Sequence, residues 1–377
     1  MTTLTTPTAQ PENLAKTPIR VFLVDDSPLA LVMLQRMLAT SPDIEVVGTA
    51  CNGREALAVF ERTKPHVICT DYHMPEMDGL ALIQETMAVF PRPILVISST
   101  IDPAERHKAF PLLAAGAVDV FAKPNAATPF EQAAAELVQK IKLLSGVIVI
   151  THRRSGVNAV ASGAVVTRPT APPVALDHVL PVLPPCKAGL IRIVAVGAST
   201  GGPQVLQTIF SALPANFPCP ILCVQHISQG FLSGLVEWLD AQCRLRVKIA
   251  SNGEVAMPGT IYFPQESTHL EIDSQGRLIY AYTPPVDGHK PSVTVTFDSV
   301  ARHYGHSALG ILLTGMGADG ASGLESIMRA GGTTLAQDET SCVVFGMPRQ
   351  AILRGAAHYV LPPDELTRSL IRLTSTS

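Results

Sequence analysis

Short apolar runs alternate with longer amphipathic stretches along this chain in two separate series, and a proline-rich segment divides them. Apolar runs without polar alternation read as strands buried on both faces. Helices returning between such strands make them parallel. The first series reads as strands at 21–24, 45–49, 67–70, 94–98 and 118–121, with helices near 29–38, 54–61, 80–89, 103–115 and 130–144. The second begins with a strand at 191–196, a helix at 203–213, a strand at 220–225 and a helix at 231–239. A Pro/Gly-punctuated middle follows, with short strands at 247–249, 260–263, 269–272 and 278–282. It closes with helices near 293–303, 320–329 and 348–353 around strands at 307–313 and 333–336. The expected fold is α/β: two doubly wound parallel-sheet domains, 19–142 and 189–375. Between them, 143–188 holds Pro169, Pro172, Pro173, Pro181, Pro184 and Pro185 and reads as a semi-extended linker. The Thr/Pro-rich stretch 1–18 reads as a disordered tail.

Composition narrows the function classes. A net charge of -3 and no basic helical motif near the C-terminus argue against a nucleic-acid partner. The N-terminus lacks the basic and apolar regions of a secretory signal, and no apolar run reaches the roughly 18–20 residues of a membrane span. A cytoplasmic protein without membrane insertion is expected. Cys51, Cys69, Cys186, Cys219, Cys223, Cys243 and Cys342 are odd in number and scattered, as suits free thiols in a reducing compartment. Cys219 and Cys223 have too few neighbouring ligands to make a zinc site.

Four strand ends in the first series carry chemistry. Asp25 and Asp26 follow the first strand, Asp71 the third, Ser98 ends the fourth and Lys123 follows the fifth. Carboxyl ends of parallel strands gather on one sheet edge, where such folds hold ligands. Three carboxylates together suit Mg²⁺. With the metal and Lys123 drawing off charge, one carboxylate becomes a nucleophile toward a phosphoryl group, which Ser98 and Lys123 would then contact. Any single aspartate here could instead cap a helix, as Asp26-Ser27-Pro28 would. Capping does not account for all four strand ends at once.

In the second series the strand at 191–196 runs into Gly197-Ala198-Ser199-Thr200-Gly201-Gly202-Pro203 and a helix. Such a turn suits a phosphate cradle or a serine held beside oxyanion donors. The other strand ends favour the serine, because His226 follows one and Asp319 another. Nucleophile, general base and orienting carboxylate thus emerge on one edge. Taken singly, Ser199 and Asp319 could cap the helices after them, and His226 could be a polar loop residue.

Val24-Asp25-Asp26-Ser27, the run from Asp71 to Leu80, Ser98 and Ala122-Lys123-Pro124 resemble the receiver domain of two-component response regulators. Gly197 to Pro203, Gln225-His226, Leu313 to Ala321, Ala336-Gln337-Asp338 and Val343 to Pro348 resemble the CheB-type catalytic domain. Receiver, linker and catalytic domain in that order make up the architecture of chemotaxis protein-glutamate methylesterases, which also deamidate glutamine. The resemblance implies a flavodoxin-like receiver and a Rossmann-like methylesterase domain. It makes Asp71 the phospho-acceptor, Asp25, Asp26 and Asp71 the Mg²⁺ ligands, and Ser98 and Lys123 the switch pair. It makes Ser199, His226 and Asp319 the triad, with backbone N–H groups near Thr200 and Met316 as oxyanion donors and no cofactor for the esterase step. Implied partners are methyl-accepting chemoreceptors as substrate and a chemotaxis histidine kinase as phosphodonor. The sequence departs from the family's Met-Pro after the histidine, with Ile227-Ser228, and from its Arg-Pro-Ser-Val-Asp, with Lys290 to Thr294. The rival expectations are a non-enzymatic binding module with a vestigial site and a receiver-fused hydrolase of another ester.

Overall fold

The computed structural model describes residues 17–98, 103–124, 128–147 and 191–375. Most of the expected tail at 1–18, and the expected linker from residue 148 onward, lie outside the described residues. The N-terminal part alternates β1 (Ile19–Val24), α1 (Pro28–Leu38), β2 (Ile44–Ala50), α2 (Gly53–Thr63), β3 (Val67–Thr70), α3 (Gly79–Val89), β4 (Ile94–Ser98), α4 (Pro103–Ala114), β5 (Asp119–Ala122) and α5 (Phe130–Leu144). Its five strands form a parallel sheet in the order β2-β1-β3-β4-β5. The unbroken apolar strands expected from the sequence are buried on both faces, as Val21–Val24 and Val67–Thr70 illustrate. The strand order reverses between β1 and β3, and the crevice at that reversal is flanked by Asp25 and Asp71.

The C-terminal part contains β6 (Ile193–Ala198), α6 (Gly202–Ser211), β7 (Ile221–Gln225), α7 (Leu232–Gln242), β8 (Arg246–Ile249), β9 (Thr260–Phe263), β10 (His269–Ile272) and β11 (Leu278–Ala281). After these come α8 (Val293–Tyr304), β12 (Ala308–Leu312), α9 (Ala321–Arg329), β13 (Thr333–Gln337), α10 (Met347–Leu353), β14 (Tyr359–Leu361) and α11 (Pro363–Thr374). Seven strands form a second parallel sheet, β14-β13-β12-β6-β7-β9-β8, while β10 and β11 pair as an antiparallel hairpin outside it. The last strand and helix are absent from the sequence reading. β14 is only three residues long and leaves no periodic signal, whereas α11 carries readable signals that the sequence reading passed over: Pro363 at its start, Asp364 and Glu365 in its first turn, and Leu366, Leu370 and Leu373 at helical spacing. The second sheet reverses between β6 and β12, which brings Ser199 and the turn carrying Asp319 to neighbouring strand ends.

The two parts pack against each other. Phe110 of α4 stacks on Trp238 of α7 with ring centroids 5.8 Å apart, and one continuous buried apolar cluster includes residues from both. Cys69, Cys219 and Cys223 are buried free thiols, whereas Cys51 is exposed. No helix among the described residues is long and apolar enough to cross a membrane.

Candidate functional site

At the first sheet's edge, Asp25, Asp26 and Asp71 each present a carboxylate oxygen, all within 4.8 Å of one another. Asp26 does not cap α1. Ser27 does, accepting from the Ala30 N–H at 3.3 Å, so the aspartate stays with the acidic cluster. Lys123 Nζ lies 2.7 Å from both Asp25 Oδ2 and Asp71 Oδ2. Ser98 is buried beside this cluster, paired in register with Ala122, and its carbonyl accepts from the Lys123 N–H at 2.8 Å. Burial raises the Asp71 carboxyl above its ordinary value; Lys123 pulls against this without cancelling it, and the Asp25 charge adds to the rise. Burial alone would lower Lys123, but the two carboxylates hold its ammonium above the ordinary value. An all-oxygen donor set of three carboxylates with one neighbouring ammonium fits Mg²⁺.

At the second edge, Ala198 and Gln225 are register partners on adjacent strands, so Ser199 and His226 leave the sheet side by side. The His226 N–H donates to the Ala198 carbonyl at 2.9 Å. His226 Nε2 lies 2.8 Å from Asp319 Oδ2. Asp319, 1% exposed, also accepts from Ser292 Oγ at 2.7 Å and from the N–H groups of Val293 and Thr294 at 2.8 and 3.0 Å. It therefore sits at the N-terminus of α8, where the helix dipole favours an anion, and does not cap α9, whose N-cap is Gly320. Burial alone would raise its carboxyl, but the bonds from His226, Thr294 and Ser292 hold it well below the usual carboxylate range.

Ser199 caps nothing either, since α6 has Gly201 at its N-cap, with φ 77°. Its backbone is pinned: its N–H donates to Thr314 O at 2.9 Å, and its carbonyl accepts from Gln225 Nε2 at 2.8 Å. Two glycines let the chains close around it. A Cβ on Gly202 would lie 2.0 Å from Gln225 Oε1, and one on Gly315 would lie 2.7 Å from the Ser199 Cβ. Thr314, fully buried, holds the turn, its N–H donating to Gln337 Oε1 and its hydroxyl to Thr200 O. The N–H groups of Thr200 and Met316 meet no acceptor among the described residues. His226 Nδ1, buried, is likewise without a hydrogen-bond partner among them, and no bond joins it to Ser199 Oγ. Catalytic contacts of this kind commonly tighten only with substrate bound.

The first part of the chain covers this edge. Asp119 Oδ2 accepts from Thr200 Oγ1 at 3.1 Å while paired with Lys140 at 2.7 Å. Ser228 Oγ donates to Glu136 Oε1 at 3.0 Å. Gln204 Nε2 donates to Ala117 O at 2.6 Å, and Gln139 Nε2 reaches Met316 Sδ at 3.6 Å. The sequence reading missed Ser292 and Gln337 as supports, and it missed His289, whose ring stacks on that of His226. The Asp287-Gly288 pair immediately before His289 signals a tight turn there but not the ring that His289 covers.

Comparison with known proteins matches residues 194–370 to the CheB methylesterase family and 21–135 to the response regulator receiver domain. A protein-glutamate methylesterase/protein-glutamine glutaminase of Methanospirillum hungatei is 40% identical over 94% of this chain and 98% of its own length. One from Geobacter metallireducens is 39% identical over 94% and 99%. The Thermotoga maritima CheB methylesterase catalytic domain is 40% identical, covering 49% of this chain and 99% of its own, with a TM-score of 0.48. With relatives of that identity aligned almost end to end, the chain belongs to the protein-glutamate methylesterase/protein-glutamine glutaminase family, with a response regulator receiver domain ahead of its CheB methylesterase domain.

Proposed function

We propose that this chain is a phosphorylation-activated hydrolase that demethylates glutamate methyl esters, releasing methanol, and deamidates glutamines on chemoreceptors. On this reading a receiver over 19–142 governs a catalytic domain over 189–375. The observation that carries the chemistry is the Asp319–His226 pair, with a fully bonded buried carboxylate on Nε2 and an unpartnered Nδ1. Ser199 Oγ attacks the γ-carbonyl carbon, and its proton passes to His226 Nδ1 while Asp319 steadies the imidazolium. The free N–H groups of Thr200 and Met316 receive the oxyanion. His226 then returns the proton to the leaving methoxide oxygen, which departs as methanol, or, when the substrate is glutamine, to the leaving amide nitrogen, which departs as ammonia. Water, activated by the same nitrogen, hydrolyses the acyl-enzyme and restores Ser199. The esterase step needs no metal in this scheme.

Control comes from the first domain. Asp25, Asp26 and Asp71 would hold Mg²⁺, which neutralises charge on an incoming phosphoryl group from a chemotaxis histidine kinase. Asp71 is the acceptor, and Ser98 and Lys123 contact the product. The docking bonds from Asp119 to Thr200 and from Glu136 to Ser228 fall one or two residues from Ser199 and His226, which supports a resting state closed to substrate. Phosphorylation would favour the undocked state. The test is methanol release from a methylated chemoreceptor fragment, with and without acetyl phosphate. Release that rises with phosphodonor and vanishes in Ser199→Ala supports the reading, and no release from folded wild type refutes it.

A further inference from the structure

The loop entering α8 ends against the histidine of the site. Val286 and His289 exchange both backbone hydrogen bonds, at 3.1 and 2.9 Å, around Asp287 (φ 52°) and Gly288 (φ 80°). Two consecutive left-handed residues make a type I′ turn, for which Asp-Gly is suited. The loop is tied to the Asp319 cradle. Buried His269 donates from Nε2 to Pro284 O at 3.1 Å and accepts the Ser292 N–H on Nδ1 at 3.1 Å, and the Ser292 hydroxyl continues to Asp319. Held this way, the His289 imidazole lies flat on that of His226, with centroids 3.8 Å apart and planes 8° from parallel.

We propose that His289 is a positioning residue, a flat neutral ring that clamps one face of His226 while its edge is held by Asp319. The inference rests on His226 being the general base. A single bond at Nε2 leaves the imidazole free to rock about the Nε2–Oδ2 line, and a face contact removes that freedom. When His226 takes the serine proton it becomes a cation lying on a π-face, a favourable arrangement only if the lower ring is uncharged. Burial, then the nearness of His226, push His289 down to about 4 against the opposing pull of Asp319, so it is neutral near pH 7. Of the charged neighbours in the loop, Asp287 is exposed and the Lys290 ammonium donates to Tyr282 O at 3.2 Å. No proton passes through His289. The role requires the shape of the ring and not its nitrogens.

Two rates in the full-length protein test this: phosphonylation of Ser199 by a fluorophosphonate, and methanol release with acetyl phosphate present. His289→Phe keeps a flat ring and is expected within about threefold of wild type in both. His289→Ala is expected to lose at least about tenfold in labelling rate and in kcat, the size of effect a misplaced catalytic group produces, with KM nearly unchanged. If the alanine variant does not fold, His289→Leu, bulky but not flat, takes its place with the same expected loss. A phenylalanine variant as slow as the alanine or leucine one overturns the proposal by showing that a ring nitrogen is needed. An alanine or leucine variant as fast as wild type overturns it by showing that no clamp exists. Labelling needs no receptor, so a wrong substrate assignment would abolish methanol release from wild type and leave the labelling comparison standing.

Discussion

Trp238 is the chain's one tryptophan. It projects from α7 onto Phe110 of the receiver, with centroids 5.8 Å apart and planes 24° from parallel. Trp238→Ala removes about 1 kcal/mol for the aromatic pair and about 1 kcal/mol for apolar area no longer covered by docking. A loss of about 2 kcal/mol shifts the docked–undocked equilibrium about 25-fold toward the undocked state, at 1.4 kcal/mol per tenfold. Methanol release without phosphodonor should therefore rise by up to about 25-fold, limited by the phosphorylated rate. Stimulation by acetyl phosphate should shrink by the same factor, with the phosphorylated rate itself unchanged. The wild type offers an optical counterpart, because its tryptophan emission should shift to the red on phosphorylation as Trp238 leaves Phe110. An unchanged basal rate in a folded variant whose Asp71 still accepts phosphoryl would refute docking as the source of inhibition.

Asp319→Asn should lower kcat by about 10³–10⁴, because an amide cannot accept all four donors or hold the His226 tautomer; single-turnover methanol release measures it. The same carboxylate sets an acid limit on stability. Its folded value lies well below the unfolded one near 3.9, so its contribution is full above about pH 4 and is lost as pH falls toward the folded value. The gap in melting temperature between wild type and Asp319→Asn should accordingly narrow from pH 5 to pH 3. Chelation of Mg²⁺ should abolish stimulation by acetyl phosphate and leave the unstimulated rate unchanged. A fall in the unstimulated rate would show that the esterase step itself depends on a metal.

Most of both sheets is legible in the sequence because their strands are buried on two faces and read as unbroken apolar runs, from Val21–Val24 to Ala308–Leu312. Residues at strand ends are legible for a related reason. Parallel topology gathers carboxyl ends on one edge, so Asp25, Asp71 and Lys123 form one group and Ser199, His226 and Asp319 another before any coordinate is known. The alternative that these residues merely cap helices could not be dismissed from spacing. It fell only when Ser27, Gly201 and Gly320 proved to be the caps.

Other features depend on contacts between residues far apart in the chain, and no local pattern encodes them. The docking of Glu136 on Ser228 joins positions 92 apart, and the bond from Thr200 to Asp119 joins positions 81 apart. Neither partner is unusual in its own segment. His289 is similar, since a histidine after an Asp-Gly turn signals a hairpin but not the ring it will cover. Local periodicity and strand polarity decided the two sheets and the edges where chemistry gathers. Tertiary packing decided which nitrogen of His226 faces Asp319, what lies on its ring, and which receiver side chains bond to Thr200 and Ser228, because each depends on side chains that meet only once the chain has folded.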